Sequence, residues 1–282
     1  MQTITAVIPA RNEERNIARC IESLSWCDRI VLMWMGNDKT GEIAKKMRAE
    51  VIVKNRATEG KDDFIGVQKN INWAIDHCTT DWMLRVDADE IVTEELKEEI
   101  VKLLHGYIVK NQTVQQFSNL SISQSPVAYG IPRAQFFCGA FLKGGDWSYD
   151  RLVRLFRPQF CRYDPIVSVH EQLRVYPVNG VYGGKIGYLK NKLLHYSHPT
   201  FKDAVSKFQK YTDVEIDDLK ISKIHAFWNC ITQPVYVFLR WMIWHHGYRD
   251  GLRGLVAGTM RGWYEYLLYS KYLFKKERKM IS

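Results

Sequence analysis

The chain lacks any C-x-x-C pair; its six cysteines, Cys20, Cys27, Cys78, Cys138, Cys161 and Cys230, are scattered. In 282 residues that pattern argues against a disulfide framework, and a reducing, cytosolic setting is expected. No window approaches about 20 uninterrupted apolar residues, so no spanning helix is expected. The opening MQTITAVIPARNEE reaches charge early, which disfavours a signal or transit peptide. Internal repeats and low-complexity tracts are absent too. Acidic residues are scarce at one end: from Lys220 to Ser282, eleven bases face only Asp250, Glu265 and Glu277. That stretch therefore carries +8 of the formal net charge of +9, and the first 219 residues are close to neutral. Such asymmetry points to an anionic partner, a membrane surface or nucleic acid.

What is present suits one large α/β domain, or a domain with an appendage: hydrophobic residues make up 46% of the chain. Thr3–Pro9 (TITAVIP) reads as a buried first strand, and Ile17, Cys20, Ile21 and Leu24 recur at helical spacing over Glu14–Ser25. Strands over 29–35, 50–54 and 82–86 alternate with helices over 41–48, 69–77 and 93–105, with Thr93 as an N-cap. Strands alternating with helices predict a parallel sheet covered by helices, and ligands bind such sheets beyond the carboxyl ends of the strands. Residues 106–127 read as a long polar loop. Arg151–Phe156 and Lys192–His195 read as short strands extending the sheet, and the chain beyond His225 as helical and aromatic.

The strongest chemical signal is Asp87-Ala88-Asp89, directly after the apolar strand Trp82–Val86. Two carboxylates two residues apart at the open end of a central strand can hold Mg²⁺ or Mn²⁺, which keep positions free for substrate phosphates. Such an ion would neutralise charge on a departing nucleoside diphosphate. The plain alternative is a solvated acidic turn, with Glu90 part of the turn into the next helix. Arg151, Arg154 and Arg157 alternate with apolar residues, either as a guanidinium edge facing phosphate or as a solvated strand face.

The ordered set Ile8-Pro9-Ala10-Arg11-Asn12-Glu13-Glu14, Gln68-Lys69-Asn70, Asp81-Trp82 through Asp87-Ala88-Asp89-Glu90, Val169-His170-Glu171 and His195-Tyr196-Ser197 resembles family 2 glycosyltransferases. Gly144-Gly145-Asp146-Trp147 and Arg154-Leu155-Phe156 narrow the resemblance to the lipopolysaccharide-core glucosyltransferase-like branch. The resemblance implies a GT-A fold: a Rossmann-like, mostly parallel sheet flanked by helices. It also implies a UDP-sugar donor, Mg²⁺ or Mn²⁺, and inversion at the anomeric carbon. Carried over by position, Pro9, Arg11 and Glu13 would lie against the nucleoside and Lys69 near the diphosphate. Asp87 and Asp89 would face the ribose and the metal-bound diphosphate. Lys69 taken alone is an ordinary solvated helix lysine.

One departure stands out. Where the family places an acid at the end of the second strand, this chain has Met33 with Trp34 beside it, in the run Met33-Trp34-Met35-Gly36-Asn37-Asp38-Lys39-Thr40. An indole can stack on a base but offers only a donor, which leaves three readings open: a donor that is not uridine-linked, a reduced affinity, or a binding module that has lost catalysis. Inversion needs a base for the acceptor hydroxyl, and Glu171 and Asp150 are the candidates. His170 is a candidate third metal ligand. His195 reads equally well as a structural residue.

In the tail, aromatic residues are punctuated by bases, and Pro234, Gly247, Gly251, Gly254 and Gly258 read as helix breakers. Trp241 and Trp244 share a predicted face near Arg240 and Arg249, as in a helix lying among anionic headgroups; aromatics buried on a catalytic domain are the alternative. No nucleic-acid motif accompanies them, so nucleic acid is not expected as a partner. The expectation is a GT-A catalytic domain over 1–220, with a nucleotide-sugar half at about 1–105 and an acceptor half at about 130–220. A basic aromatic tail follows over 221–282. Together they would move a hexose to a glycan or glycolipid acceptor, peripherally at the inner face of the cytoplasmic membrane.

Overall fold

A computed structural model of the chain describes residues 2–54, 61–111, 126–164, 173–176 and 185–275. By internal packing the chain divides into two compact units, Met1–Arg133 with Asp150–His195, and Ala134–Tyr149 with Tyr196–Ser282.

The first unit is built on a sheet. Strands β1 (Ile4–Ala10), β2 (Arg29–Trp34), β3 (Glu50–Val53) and β4 (Trp82–Arg85) run parallel in the order β3-β2-β1-β4. All seven residues of β1 are buried, as a strand with neighbours on both edges and helices on both faces requires. β5 (Glu90–Val92) follows β4. Beyond β4 the sheet continues through β8 (Arg151–Phe156), β6 (Ala128–Phe137) and β12 (Leu193–His198) to β5. There the pairing turns antiparallel, β4 with β8, β8 with β6 and β12 with β5. β7 (Ala140–Phe141) pairs antiparallel with the end of β6, β11 (Ile186–Tyr188) pairs parallel with its start, and β9 (Cys161–Tyr163) and β10 (Leu173–Val175) form a separate ribbon.

Helices cover both faces. Ile17, Cys20 and Ile21 of α1 (Ile17–Glu22), Ala44 of α2 (Thr40–Lys46) and Leu96, Ile100 and Leu104 of α4 (Glu94–Asn111) join one core cluster with Ile8, Leu32 and Leu84. Ile71, Ala74 and Ile75 of α3 (Lys61–Asp76) join the other, with Val7, Val31, Met33 and Met83. This is the helix-flanked α/β sheet that was expected, made mixed by its antiparallel half. Thr93 caps α4 as read from sequence, its hydroxyl accepting the Leu96 N–H at 3.2 Å. Three details differ. α3 starts at Lys61 rather than Lys69, α4 runs past His105 to Asn111, and Glu90 opens a strand rather than sitting in a turn. The remainder of the expected 106–127 loop, residues 112–125, lies outside the described residues.

The second unit is mainly helical: α5 (Phe201–Glu215), α6 (Lys223–Leu239) and α7 (Gly251–Phe274). α5 has a full capping box, Thr200 Oγ1 accepting from the Asp203 N–H while the Asp203 carboxylate accepts from the Thr200 N–H. Trp241 is the hub of this unit's core, fully buried with Phe137, Leu142, Phe208, Ala257 and Met260. A Cβ built at Gly145, Gly247 or Gly258 would fall 2.3, 2.4 or 2.7 Å from its ring. The glycines therefore act differently from the sequence reading. Gly247 and Gly251 lie where α6 gives way, after one π turn at Arg240–Trp244, to α7. Gly254 and Gly258 sit inside an unbroken α7, and Pro234 inside α6. A Cβ at Gly262 would stand 2.8 Å from the Pro234 carbonyl oxygen, so the small face of α7 is what lets α6 approach so closely. The shared Trp241–Trp244 face is likewise corrected: Trp241 is 0% exposed and Trp244 64%.

Candidate active site

The carboxyl ends of β1, β2 and β4 carry the residues singled out by sequence. After β1, Asn12 takes a left-handed backbone (φ 56°), which asparagine tolerates better than most residues. Its side-chain oxygen accepts the Asn37 N–H at 3.0 Å, and a Cβ at Gly36 would collide with it at 2.6 Å. Glu13 N–H donates to Thr40 Oγ1 (2.8 Å), while Glu14 N–H and Thr40 N–H each donate to Asp38 (3.1 Å both). Asp38 and Thr40, the surviving part of the second-strand motif, thus lace the first two loops together. Burial raises the Asp38 carboxyl, but the bonds from Thr40 and Glu14 outweigh it and hold the group below the usual carboxylate range. Pro9 is buried opposite Met33 in the sheet register, Arg11 is half-buried, and the Glu13 carboxylate accepts from Asn16 Nδ2 at 2.7 Å.

Strand alternation explains the Met33 departure. Met33 is fully buried on the α3 side of the sheet, where an unpaired acid would be costly. Trp34 points to the other face, half-buried, its ring so close over Gly41 that a Cβ there would lie 2.6 Å away. Its indole Nε1 is buried with no partner.

Around the end of β4 the chain builds a buried ion network. Asp87 is bridged by Arg154 at 2.5 Å and by Arg85 at 3.3 Å, and its own N–H donates to Glu90 at 2.9 Å. Glu90 is fully buried and pairs with Arg133 at 3.2 Å; Arg133 also grips Asp150 through Nε (3.0 Å) and Nη2. The network balances three carboxylates against three guanidiniums, as charges removed from water must be. Burial by itself raises the Asp87 carboxyl, yet Arg154 and Arg85 bring it down to about 2. Burial depresses the Arg154 and Arg133 guanidiniums, but the surrounding carboxylates lift both above their ordinary value.

Asp89 has a histidine beside it. Its Oδ2 lies 3.3 Å from Nε2 of His195, whose Nδ1 is buried without a partner. The two are neighbours because β12 pairs with β5 in the register His195↔Glu90. Asp89 offers a hard oxygen donor of the kind Mg²⁺ or Mn²⁺ takes, with His195 beside it; Asp87, held by two guanidiniums, is the weaker donor. Among the described residues no three His, Cys, Asp or Glu side chains converge as a complete metal site. An ion here would draw on substrate oxygens to fill its shell. Lys69 is exposed on α3. His170 and Glu171 lie outside the described residues.

Arg133, Arg85 and Glu90 were missed as site residues by sequence, and the three strand arginines prove unequal. Arg151 is exposed, Arg154 buried, and Arg157 lies over the Trp82 ring at 4.9 Å. For Arg85 and Arg133 the available signal was a lone charge inside an apolar run, in WMLRV and GIPRAQFF.

The second unit uses Gly144-Gly145-Asp146-Trp147 for packing. Asp146 pairs with Arg240 at 2.8 Å, Gly145 N–H donates to the His245 carbonyl at 2.8 Å, and Trp147 stacks on His198 with centroids 5.1 Å apart. Ser197 Oγ donates to Gln135 Oε1 at 3.0 Å. Tyr196 touches Phe136 and Phe141 with ring centroids at 5.0 and 5.3 Å.

Residues 5–118, which span the parallel strands, both laced loops and Asp87–Asp89, match the family described as Glycosyl transferase family 2. Over these residues the chain is similar to glycosyltransferase family 2. Curated relatives extend the likeness over its whole length. A glycosyltransferase of Rickettsia typhi is 25% identical over 288 residues, covering 100% of this chain and 91% of that one. The lipopolysaccharide core biosynthesis glycosyltransferase LpsC of Rhizobium meliloti is 24% identical over 269 residues, covering 95% and 91%. Among solved structures, residues 1–349 of S. aureus TarS give a TM-score of 0.45 at 14% identity, covering 98% of this chain and 93% of that one. The transferase has, among its described residues, no helix long and apolar enough to cross a membrane.

Proposed function

We propose that this transferase moves a hexose from a nucleotide-sugar, with UDP as the nucleotide, to a lipid-linked or cell-envelope glycan, with inversion at the anomeric carbon. The observation that carries the reading is the division at the end of β4, where Asp87 is locked by Arg154 and Arg85 while Asp89 faces His195. Asp89 would hold Mg²⁺ or Mn²⁺, with His170 as a further ligand. A bound ion supplies Lewis-acid neutralisation of the diphosphate as the sugar departs. Asp87, fixed and ionised, is suited to accept hydrogen bonds from ribose hydroxyls. Pro9, Arg11, Glu13 and the edge of Trp34 would frame the base, with Lys69 as a mobile cation for phosphate.

The acceptor hydroxyl needs a base, either Glu171 or Asp150. Asp150 is held by Arg133 and thereby oriented; a change at Arg133 should then lower kcat more than it raises KM for the donor. The lipopolysaccharide-core role of LpsC supports an envelope acceptor. The catalytic domain would be 1–220, with the tail 221–282 bringing it to the inner face of the cytoplasmic membrane. A non-catalytic binding module is the rival reading, favoured by Met33 filling the place of the motif's first acid.

Thermal shift with UDP, GDP, dTDP and CMP, with and without Mn²⁺, tests the reading. A rise in midpoint with UDP and Mn²⁺ together, abolished by Asp89→Ala, is the expected result. A rise with another nucleotide changes the donor, and no rise with any of them turns the assignment to the rival.

A further inference from the structure

The strongest unexplained feature of the second unit is the outer face of α6. Ile224, Phe227, Trp228, Ile231, Val235 and Leu239 recur at three- and four-residue steps and are 42% to 72% exposed. Ile243 and Trp244, on the turn that follows, are exposed as well. The stripe from Ile224 to Leu239 runs about 24 Å along the helix. Isolated exposed apolar residues are ordinary; a continuous helical stripe of large ones is not. The inner face of α6 is already used, with Ala226 and Val237 buried and Pro234 against Gly262 of α7.

Charge indicates what covers the stripe. Between Asp218 and Asp250 the sequence holds no acid, while Lys220, Lys223 and Arg249 are exposed along that stretch. A second copy seated on the same face would bring those cations against their equals with no acid to meet them. A bilayer instead offers acyl chains to the stripe and phosphates to its rim, with Trp228 and Trp244 suited to the boundary between the two.

The attraction is also not chiefly the tail's net charge. Four of its bases already have acidic partners: Arg240 on Asp146 at 2.8 Å, Arg261 on Glu265 at 2.6 Å, Lys271 on Asp213 at 2.7 Å, and Lys275 on Asp217. We infer that α6 lies in the plane of a lipid bilayer and inserts its Ile224–Leu239 stripe among the acyl chains, so that apolar burial rather than basic charge holds the protein there. This sharpens the membrane part of the proposed function but stands without the transfer chemistry.

Vesicle flotation of the full chain tests it, using phosphatidylcholine vesicles alone and with phosphatidylglycerol, at low salt and at about 1 M salt, where the screening length is about 3 Å. Wild type should float with both vesicles and keep floating at high salt. Ile231→Glu and Val235→Glu, each confirmed folded by circular dichroism, should each weaken partitioning by about tenfold or more, since a carboxylate on the inserting face must be desolvated. Failure of wild type to float, loss of floating at high salt, or unchanged floating of both variants overturns the inference. So does light scattering that shows a dimer dissociated by Ile231→Glu, which would assign the stripe to a second copy. UDP–Mn²⁺ thermal shift on the same samples separates the two ideas: a protein that floats without binding nucleotide retains this inference and loses the proposed transfer.

Discussion

The two units break the same rule in opposite directions. The first buries charge, with Glu90, Arg154 and Arg85 almost fully removed from water beside its candidate site. The second exposes apolar surface along α6. Most polar groups stay outside and most large apolar groups inside, because desolvation penalises the reverse. A chain that sustains both departures uses each for something its core does not need. In the first unit the departure holds Asp87 rigid next to Asp89; in the second it leaves an apolar stripe of α6 facing solvent.

The comparison is broken most forcefully at Arg154. Arg154→Met removes the cation between Asp87 and Glu90 and leaves the buried network one positive charge short, with Arg85 alone on Asp87 and Arg133 alone on Glu90. A loss of about 3–5 kcal/mol in urea unfolding is expected, with weakened donor binding in whatever folds. If stability is unchanged, the network is not what organises the end of β4.

Acid sharpens the same point. The folded Asp87 carboxyl sits at about 2, below its unfolded value, so its stabilisation is complete above the unfolded value and is lost as pH falls through about 2. Between about pH 4 and pH 2 the wild type should lose on the order of 2 kcal/mol that Asp87→Asn does not lose. Parallel pH profiles for the two proteins would contradict the clamp.

In the second unit, Gly258→Ala tests sign rather than size. Helix propensity favours alanine by about 1 kcal/mol, but the added methyl would lie 2.7 Å from the rigid, buried Trp241 ring. A net destabilisation of about 1 kcal/mol is expected, since overpacking costs about 1–3 kcal/mol; a rise in Tm would show that Trp241 has room to move. Smallest of all, Ile231→Glu should change stability in solution by no more than about 0.5 kcal/mol, as for surface positions generally. A larger loss would mean that the stripe is part of the folded core.

Much of the first unit was legible because its signals are local. Apolar β-branched runs, helical spacing of Ile17, Cys20, Ile21 and Leu24, and the cap at Thr93 each act within a few residues. The ordered motifs were legible for the same reason, and the family 2 likeness over residues 5–118 agrees with them. The α5 helix was overlooked although its Thr200–Asp203 box is a local signal. The Met33 departure was visible, but its consequence needed the sheet, where alternation sends Met33 to the core and Trp34 to the opposite face.

By itself, then, the sequence determined an alternating α/β half, the acidic pair at the end of its fourth strand and a basic, aromatic tail, since all three follow from short-range periodicity and composition. Tertiary structure alone decided which charges are partners and which apolar residues are covered. Arg133 meets Glu90 across 43 residues and Arg154 meets Asp87 across 67. Gly145 and Gly258 close on Trp241, leaving the stripe that includes Trp228 outside. Partnership and burial depend on contacts between distant segments, and no spacing along the chain encodes which of two similar residues, Trp241 or Trp244, Asp87 or Asp89, will be enclosed.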